Sequence, residues 1–401
     1  MTKQICEENL CSACGSCINV CPKNCISFVE DDLDCLKPHI NENLCINCNL
    51  CKKVCPQINV PKLNFPLTCY ASYIKDFNKR LDSASGGIAR AFYEYSLKNI
   101  ENSKIVGVYF DNDYQVKFLL TDKVDDIKKF QGSKYIQANP EKIYQACAKE
   151  LNKGTFILFI AMPCQIAAFK NYLVAKNVNQ SNLLTVDILC HGVSPQSYFN
   201  QCLSRLKQKL NLKNIEKITF RSNRKYKNFH LYLKGINKKN KEIIYNKYAY
   251  EEPYFYGFLK GITLRESCYT CKFSQKSRVG DITIGDFLGL AQMPSSPKFE
   301  ESPINLSMIL CNTHKGIDFI SKLKEDLKLY ERPYSEAVEG GASLQKSFPR
   351  HKLRNSFIKL YKKGNFISAI NKIAFWDILF YSLKVLHKKI YICFFMRDLL
   401  K

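Results

Sequence analysis

The stretch SCYTCKF, residues 267–273, carries Cys268 and Cys271 as a C-x-x-C with no other cysteine within thirty residues on either side. Two thiols at that spacing can cycle as a redox pair or form one edge of a metal site, and a metal or cluster site normally takes four protein ligands. The first sixty residues show how a complete set is arranged. ENLCSACGSCINVCP from Glu8 returns as ENLCINCNLCKKVCP from Glu42, an internal repeat of period 34. Each copy reads C-x2-C-x2-C-x3-C-P: Cys11, Cys14, Cys17 and Cys21 before Pro22, then Cys45, Cys48, Cys51 and Cys55 before Pro56.

That spacing wraps backbone amides around a [4Fe-4S] cubane, and in two-cluster proteins the fourth thiolate of each copy serves the other cluster. Cys55 therefore completes the first site and Cys21 the second. A pair of zinc knuckles is the alternative that thiolate chemistry leaves open. Cys6, Cys25 and Cys35 lie outside the spacing and read as packing thiols.

The larger remainder must supply the partners of Cys268 and Cys271. From Thr68 onward strands and helices alternate. KIVGVYF and YQVKFLLT read as a hairpin turning at Asn112 and Asp113. TFILFIA and NLLTVDIL are continuous apolar runs of the kind a parallel sheet buries, and they lead into the helical patterns QIAAFKNYLVAKN and SPQSYFNQCLSRLKQKL. This βαβ grammar predicts a mixed α/β sheet with helices on both faces. Cys164 follows the first apolar run and Cys190 the second. Ligands of open α/β sheets gather at the carboxyl ends of parallel strands, so these thiols could meet Cys268 and Cys271 in one crevice and complete a third [4Fe-4S] site. Other readings stay open: unligated buried thiols at Cys164 and Cys190, a zinc site of Cys268, Cys271 and His191, or a redox-active C-x-x-C.

Between the two repeats ISFVEDDLDCLKPHI reads as a small hairpin, and Pro56, Pro61 and Pro66 keep the following segment extended. The expected fold is α+β: a two-cluster ferredoxin-type domain (1–60), a linker (61–67), a larger mixed α/β domain (68–340) and a basic helical tail (341–401). Twenty cysteines without an apolar leader place the chain in a reducing cytoplasm. The longest apolar run, TFILFIAMPCQIAAF, is broken by Pro163 and Gln165, so no transmembrane helix is expected.

The formal net charge is +24, and residues 350–401 hold twelve Lys or Arg against two Asp. Such a field favours anionic lipid, an acidic protein or a polyanion. In the tail Ile373, Trp376, Phe380, Leu383 and Leu386 recur at helical spacing, flanked by Lys372, Lys384, Lys388 and Lys389, a pattern for lying on an anionic membrane surface or docking on protein. Nucleic acid is not expected, because basicity without a recognised fold is an inadequate signal.

SASGGIARAF, FQGSKYIQ, MPCQIAAFK, CHGVSP, RESCYTCKF and GDITIGDFLG, in that order behind the cysteine repeats, make the chain resemble the coenzyme F420 hydrogenase/dehydrogenase beta-subunit family over roughly residues 5–340. The resemblance implies an iron-sulfur flavoprotein whose FAD exchanges hydride with a deazaflavin, or in relatives reduces chlorophyll-type tetrapyrroles, while clusters carry single electrons. Bacterial relatives often accompany surface-polysaccharide genes. It implies an FAD site, for which Ser85, Gly86 and Gly87, ahead of a helix from about Ile88 to Lys98, could bind a diphosphate or merely cap the helix. Gly132, Ser133, Lys134 and Tyr135 would add phosphate or ring contacts, and Asp281 and Asp286 could hold the ribityl chain or a ring amide. Lys134 could polarise a flavin carbonyl, and His191 could donate a proton or serve as a hydrogen-bonding neighbour. Arg265 and Arg278 could offset cluster charge. The expected activity is an FAD-dependent oxidoreductase acting on an organic small molecule, with a redox carrier or partner oxidoreductase; the alternative is an electron-transfer subunit without its own substrate.

Overall fold

The protein is described by a computed structural model covering residues 3–221, 229–299 and 305–398, with side chains as far as Lys384. In the N-terminal region β1 (Ile26–Glu30) and β2 (Leu36–Ile40) pair antiparallel, Ile26 opposite Ile40. The carboxylate of Asp31 closes the turn by accepting the N–H groups of Leu33 and Cys35, each at 2.9 Å. Two short helices, Ser16–Val20 and Leu50–Lys53, each carry the third cysteine of a repeat. Gly15 and Asn49, which enter them, adopt left-handed φ of 76° and 56°, the sharp turn that lets each C-x2-C loop curl back on itself.

Strands β3 (Thr68–Ile74), β4 (Ser103–Phe110), β5 (Val116–Thr121), β6 (Phe156–Ala161), β7 (Leu183–Ile188), β8 (Leu212–Arg221), β9 (Phe229–Asn237), β10 (Glu242–Tyr248), β11 (Ile282–Asp286), β12 (Ser307–Cys311) and β13 (Leu327–Glu331) follow. Eight of them form one mixed sheet in the order β13-β3-β12-β11-β7-β6-β4-β5. Its centre, β4, β6, β7 and β11, is parallel; the flanking strands are antiparallel. The apolar run of β6 explains its central place. Ile157 and Phe159 face a core shared with helix Pro163–Ala175, while Leu158 and Ile160 face helices Ile88–Asn99 and His314–Ser321 on the other side. The hairpin of β4 and β5 and the helices after β6 and β7 stand where the sequence pattern predicts them.

A second sheet, β8, β9 and β10, is wholly antiparallel. Its inner face, with Phe220, Leu231 and Leu233, joins an aromatic core with Phe199, Tyr254 and Phe255.

The C-terminal region is helical, Arg354–Tyr361 and Phe366–Asp398, but its first half is not a loose appendage. Phe357, Phe366, Ala369, Ile370 and Ala374 are buried in that same aromatic core. The stripe that docks is therefore Phe366, Ala369, Ile370 and Ala374, whereas Trp376, Phe380 and Leu383 of the expected stripe are exposed and Ile373 is half-buried. The helix carries apolar residues on two faces, and only one is covered. Leu386, Lys388 and Lys389 lie outside the described side chains. Against the expectation of no transmembrane helix, Phe366–Lys384 is long and apolar enough to cross a membrane by length and composition, although its inner face is already packed on protein.

Candidate functional site

Three sets of cysteines surround three separate cavities, and the described cysteines are all free. The first cavity is ringed by Cys11, Cys14, Cys17 and Cys55. The exchange of fourth cysteines between repeats is thus what the fold brings together, because helix Leu50–Lys53 runs on into Cys55 beside the first loop. Cys6 lies against Cys11 and Cys55, and its hydrogen bonds hold those two thiols down to about 6 and about 7. Burial pushes Cys14 up to about 12 and raises Cys17. The second cavity, of about 240 Å³, is ringed by Cys21, Cys45, Cys48 and Cys51 and rimmed by Lys3, Lys23 and Lys52. It opens to solvent: Cys48 is exposed. Cys25 packs there with its Sγ 3.4 Å from that of Cys21, while Cys35 is buried in the hairpin.

The third cavity unites Cys164, Cys190, Cys268 and Cys271. Parallel pairing sets Ala161 of β6 opposite Asp187 of β7, so the chain segments leaving the two strands emerge side by side. Cys164 then sits in the first turn of helix Pro163–Ala175, and Cys190 follows β7 by two residues. Gly192, at φ 124°, lets the loop pass against the C-x-x-C: a Cβ there would lie 2.8 Å from Leu264 and 3.3 Å from the Cβ of Cys268. Burial, then the nearby Cys271, raises both Cys164 and Cys190, the latter to about 11. Burial and Cys190 push Cys268 up to about 12. The raised Cys164, Cys190 and Cys268 thiols suit a site whose charge a metal group offsets. Among the described residues no three His, Cys, Asp or Glu side chains close on a single point as one bound ion would require; the thiols ring open volumes instead.

A fourth cavity, of about 330 Å³, lies at the carboxyl ends of β6, β7 and β11 and reaches the N-terminus of helix Ile88–Asn99. That is within the range of cofactor clefts. Ser85, Gly87, Gly132, Ser133, Lys134, Tyr135, His191 and Asp286 all line it. Met162 and the loop Cys190–Val193 line it and the third cavity together, just as Ser12 and Gln57 line both the third and the first. The loop before the helix is tied to β12 by the Ser85 hydroxyl, which donates to Leu306 O at 3.0 Å, and by Gly86 N–H, which donates to Ser307 Oγ at 2.9 Å.

Two expected contacts are not brought to this cavity. Gly86 lies beneath the loop, where a Cβ would stand 2.5 Å from Ser72 O. Asp281 sits at the amino end of β11, where its carboxylate accepts from the Thr185 N–H and hydroxyl at 2.9 and 2.6 Å and from the Thr313 hydroxyl at 3.1 Å. At the other end of the same strand Asp286 pairs with Arg221 at 2.7 Å, a residue that spacing alone does not single out. The alternating pattern of HLYLKGI does mark the sheet that carries it.

Lys134 donates to the carbonyls of Gln131 and Gly132 at 3.2 and 3.3 Å, and burial pushes its ammonium down to about 7. The His191 ring lies tilted against Phe348, the two centroids 4.1 Å apart. Burial pushes it down to about 4, and its Nε2 has no partner among the described residues. The ring is therefore neutral at pH 7, which disfavours an imidazolium acid.

Residues 10–58 match the 4Fe-4S dicluster domain, and residues 154–337 match the C terminus of the coenzyme F420 hydrogenase/dehydrogenase beta subunit. No curated protein matches the chain. Among solved structures, a chain of the xenon-derivatized F420-reducing [NiFe] hydrogenase complex from Methanosarcina barkeri is 17% identical, with a TM-score of 0.44 over 78% of this chain and 93% of that one. A likeness that loose carries no argument about the site. Two separate segments of the chain are thus similar, in order, to a 4Fe-4S dicluster domain and to the C terminus of the coenzyme F420 hydrogenase/dehydrogenase beta subunit.

Proposed function

We propose that the chain is a cytoplasmic FAD-dependent oxidoreductase holding three [4Fe-4S] clusters. Cys11, Cys14, Cys17 and Cys55 would ligate the first, Cys21, Cys45, Cys48 and Cys51 the second, and Cys164, Cys190, Cys268 and Cys271 the third. FAD would occupy the fourth cavity. The observation that carries this reading is the shared wall, Cys190–Val193, between the cavity lined by Cys164, Cys190, Cys268 and Cys271 and a cofactor-sized cleft.

Bound FAD supplies the exchange between single electrons and a hydride. The chain's own residues would do the rest. The helix N-terminus behind Gly87, in the loop that Ser85 ties to β12, would receive a diphosphate. Lys134 and Arg90, which also pairs with Glu94 at 2.8 Å, would offset its charge, and Arg221, Asp286 and Tyr135 line the same cavity. His191 offers a neutral ring nitrogen to both chambers. An external redox carrier would meet the second site, the one with an exposed thiol, and residues 68–340 would act on an organic small molecule or a deazaflavin-type coenzyme, in surface-polysaccharide metabolism.

Anaerobic purification with flavin extraction and iron and sulfide counts tests this. About twelve iron per chain, from three four-iron clusters, with one flavin is expected. About eight iron, or no flavin, overturns the corresponding part. Flavin bleaching by a small-molecule reductant without a partner supports an enzyme, and bleaching only through a partner supports an electron-transfer subunit.

The uncovered face of the C-terminal helix, with Phe375, Trp376, Leu379, Phe380 and Leu383 exposed, fits an anionic bilayer surface, since the tail's positive charge and an interfacial tryptophan act together there. Co-sedimentation of the full chain with anionic but not neutral liposomes, lost in Trp376→Ala/Phe380→Ala, is expected; no co-sedimentation removes this reading.

A further inference from the structure

Four arginines are buried among the described residues, and three of them face a carboxylate. Arg278 pairs with Asp187 at 2.7 Å, Arg332 with Glu336 at 2.6 Å and Arg354 with Glu266 at 3.7 Å. Arg265, only 2% exposed, has no carboxylate partner among the described residues. Its guanidinium donates to three neutral oxygens: Cys11 O at 3.0 Å, Gln137 Oε1 at 2.8 Å and Leu36 O at 2.6 Å. Burying a cation with neutral partners alone is unfavourable, so its position calls for negative charge nearby.

The position itself indicates where that charge resides. Arg265 lines the third cavity and at the same time holds the backbone of Cys11, which lines the first. Its own carbonyl accepts the N–H of Cys268 at 3.0 Å. A second positive group, Arg278, borders the third cavity, but its charge is already matched by Asp187.

We propose that Arg265 is the shared counter-ion of the first and third clusters and holds both of their reduction potentials up. The inference rests on the three-cluster reading above. Adding an electron to either cluster adds a negative charge, which a fixed cation between them stabilises, and cluster potentials respond to net charge and hydrogen bonding. The second site does not share this cation and has Lys3, Lys23 and Lys52 at its rim instead.

Potentiometric titration of the holoprotein followed by electron paramagnetic resonance tests the proposal. In Arg265→Gln two of the three midpoint potentials are expected to move to more negative values and one to stay. Arg265→Lys, which keeps the charge without the planar fork, restores both. Gln137→Glu leaves Arg265 in place and sets a carboxylate beside it, so it should shift the same two potentials downward even where Arg265→Gln fails to retain its iron. Unchanged potentials in Gln137→Glu, a shift of all three, or a Lys variant displaced as far as the Gln variant would overturn the proposal. An iron count of about eight in the unsubstituted protein would instead remove the three-cluster reading on which it stands.

Discussion

The guanidinium of Arg278 meets the carboxylate of Asp187 at 2.7 Å, with Asp187 fully shielded from solvent and its second oxygen accepting Gly280 N–H at 2.8 Å. The pair joins β7 to the start of β11 directly beneath the third set of thiols. Removing one partner of a buried ion pair costs about 3–5 kcal/mol, because the other charge is left uncompensated. Asp187→Asn is therefore expected to lower the thermal midpoint of unfolding and to weaken iron retention at Cys164, Cys190, Cys268 and Cys271. An unaltered midpoint would contradict it.

Gly86 is packed against backbone on both sides: a Cβ would stand 2.5 Å from Ser72 O and 2.9 Å from Ser307 N. Gly86→Ala should displace the loop before helix Ile88–Asn99, cost about 1–3 kcal/mol as overpacking does, and reduce flavin content while leaving iron unchanged. Full flavin occupancy in this variant would show that the loop does not set the diphosphate site.

Lys134 offers a pH signature. Burial holds its ammonium at about 7 in the fold, below the value of about 10.4 for an unperturbed lysine. The unfolded chain then binds the extra proton between these two values, so this residue's contribution to stability rises with pH across that window and is flat below about 7. In flavin-free protein the thermal midpoint of the unsubstituted chain should gain on that of Lys134→Met between pH 7 and pH 10. Parallel curves would refute the assignment.

The C-terminal helix gives a paired test. Phe366 is fully buried, and its truncation to Ala should cost about 3–5 kcal/mol. Trp376 is 77% exposed, and its truncation should change stability by under about 0.5 kcal/mol. Chemical unfolding of the two variants under identical conditions distinguishes them, and equal losses would mean that the exposed face is covered by protein.

The parts that were legible from sequence are those fixed by local spacing or by long apolar runs. The C-x2-C-x2-C-x3-C-P repeats bring their thiols together through short loops, and β6 and β7 announce themselves as uninterrupted apolar strands, which is why Cys164 and Cys190 could be placed at neighbouring strand ends. Asp281 and Asp286 show where proximity in sequence misleads. At about 3.3 Å per residue the intervening strand sends one to each end of the sheet, and only Asp286 reaches the cleft. Periodicity also located an apolar stripe in the last helix but could not say which of its two apolar faces would meet the core, since that depends on the shape offered by Phe199, Tyr254 and their neighbours. Arg221 and the docking of Arg265 on the cysteine repeats depend on contacts between segments more than sixty residues apart.

Gly192 has no space for a side chain, and the loop Cys190–Val193 forms one side of two chambers at once. Along this loop the partition between them is one strand of main chain with Met162 beside it, so a substitution in Cys190–Val193 alters the walls of both chambers at once.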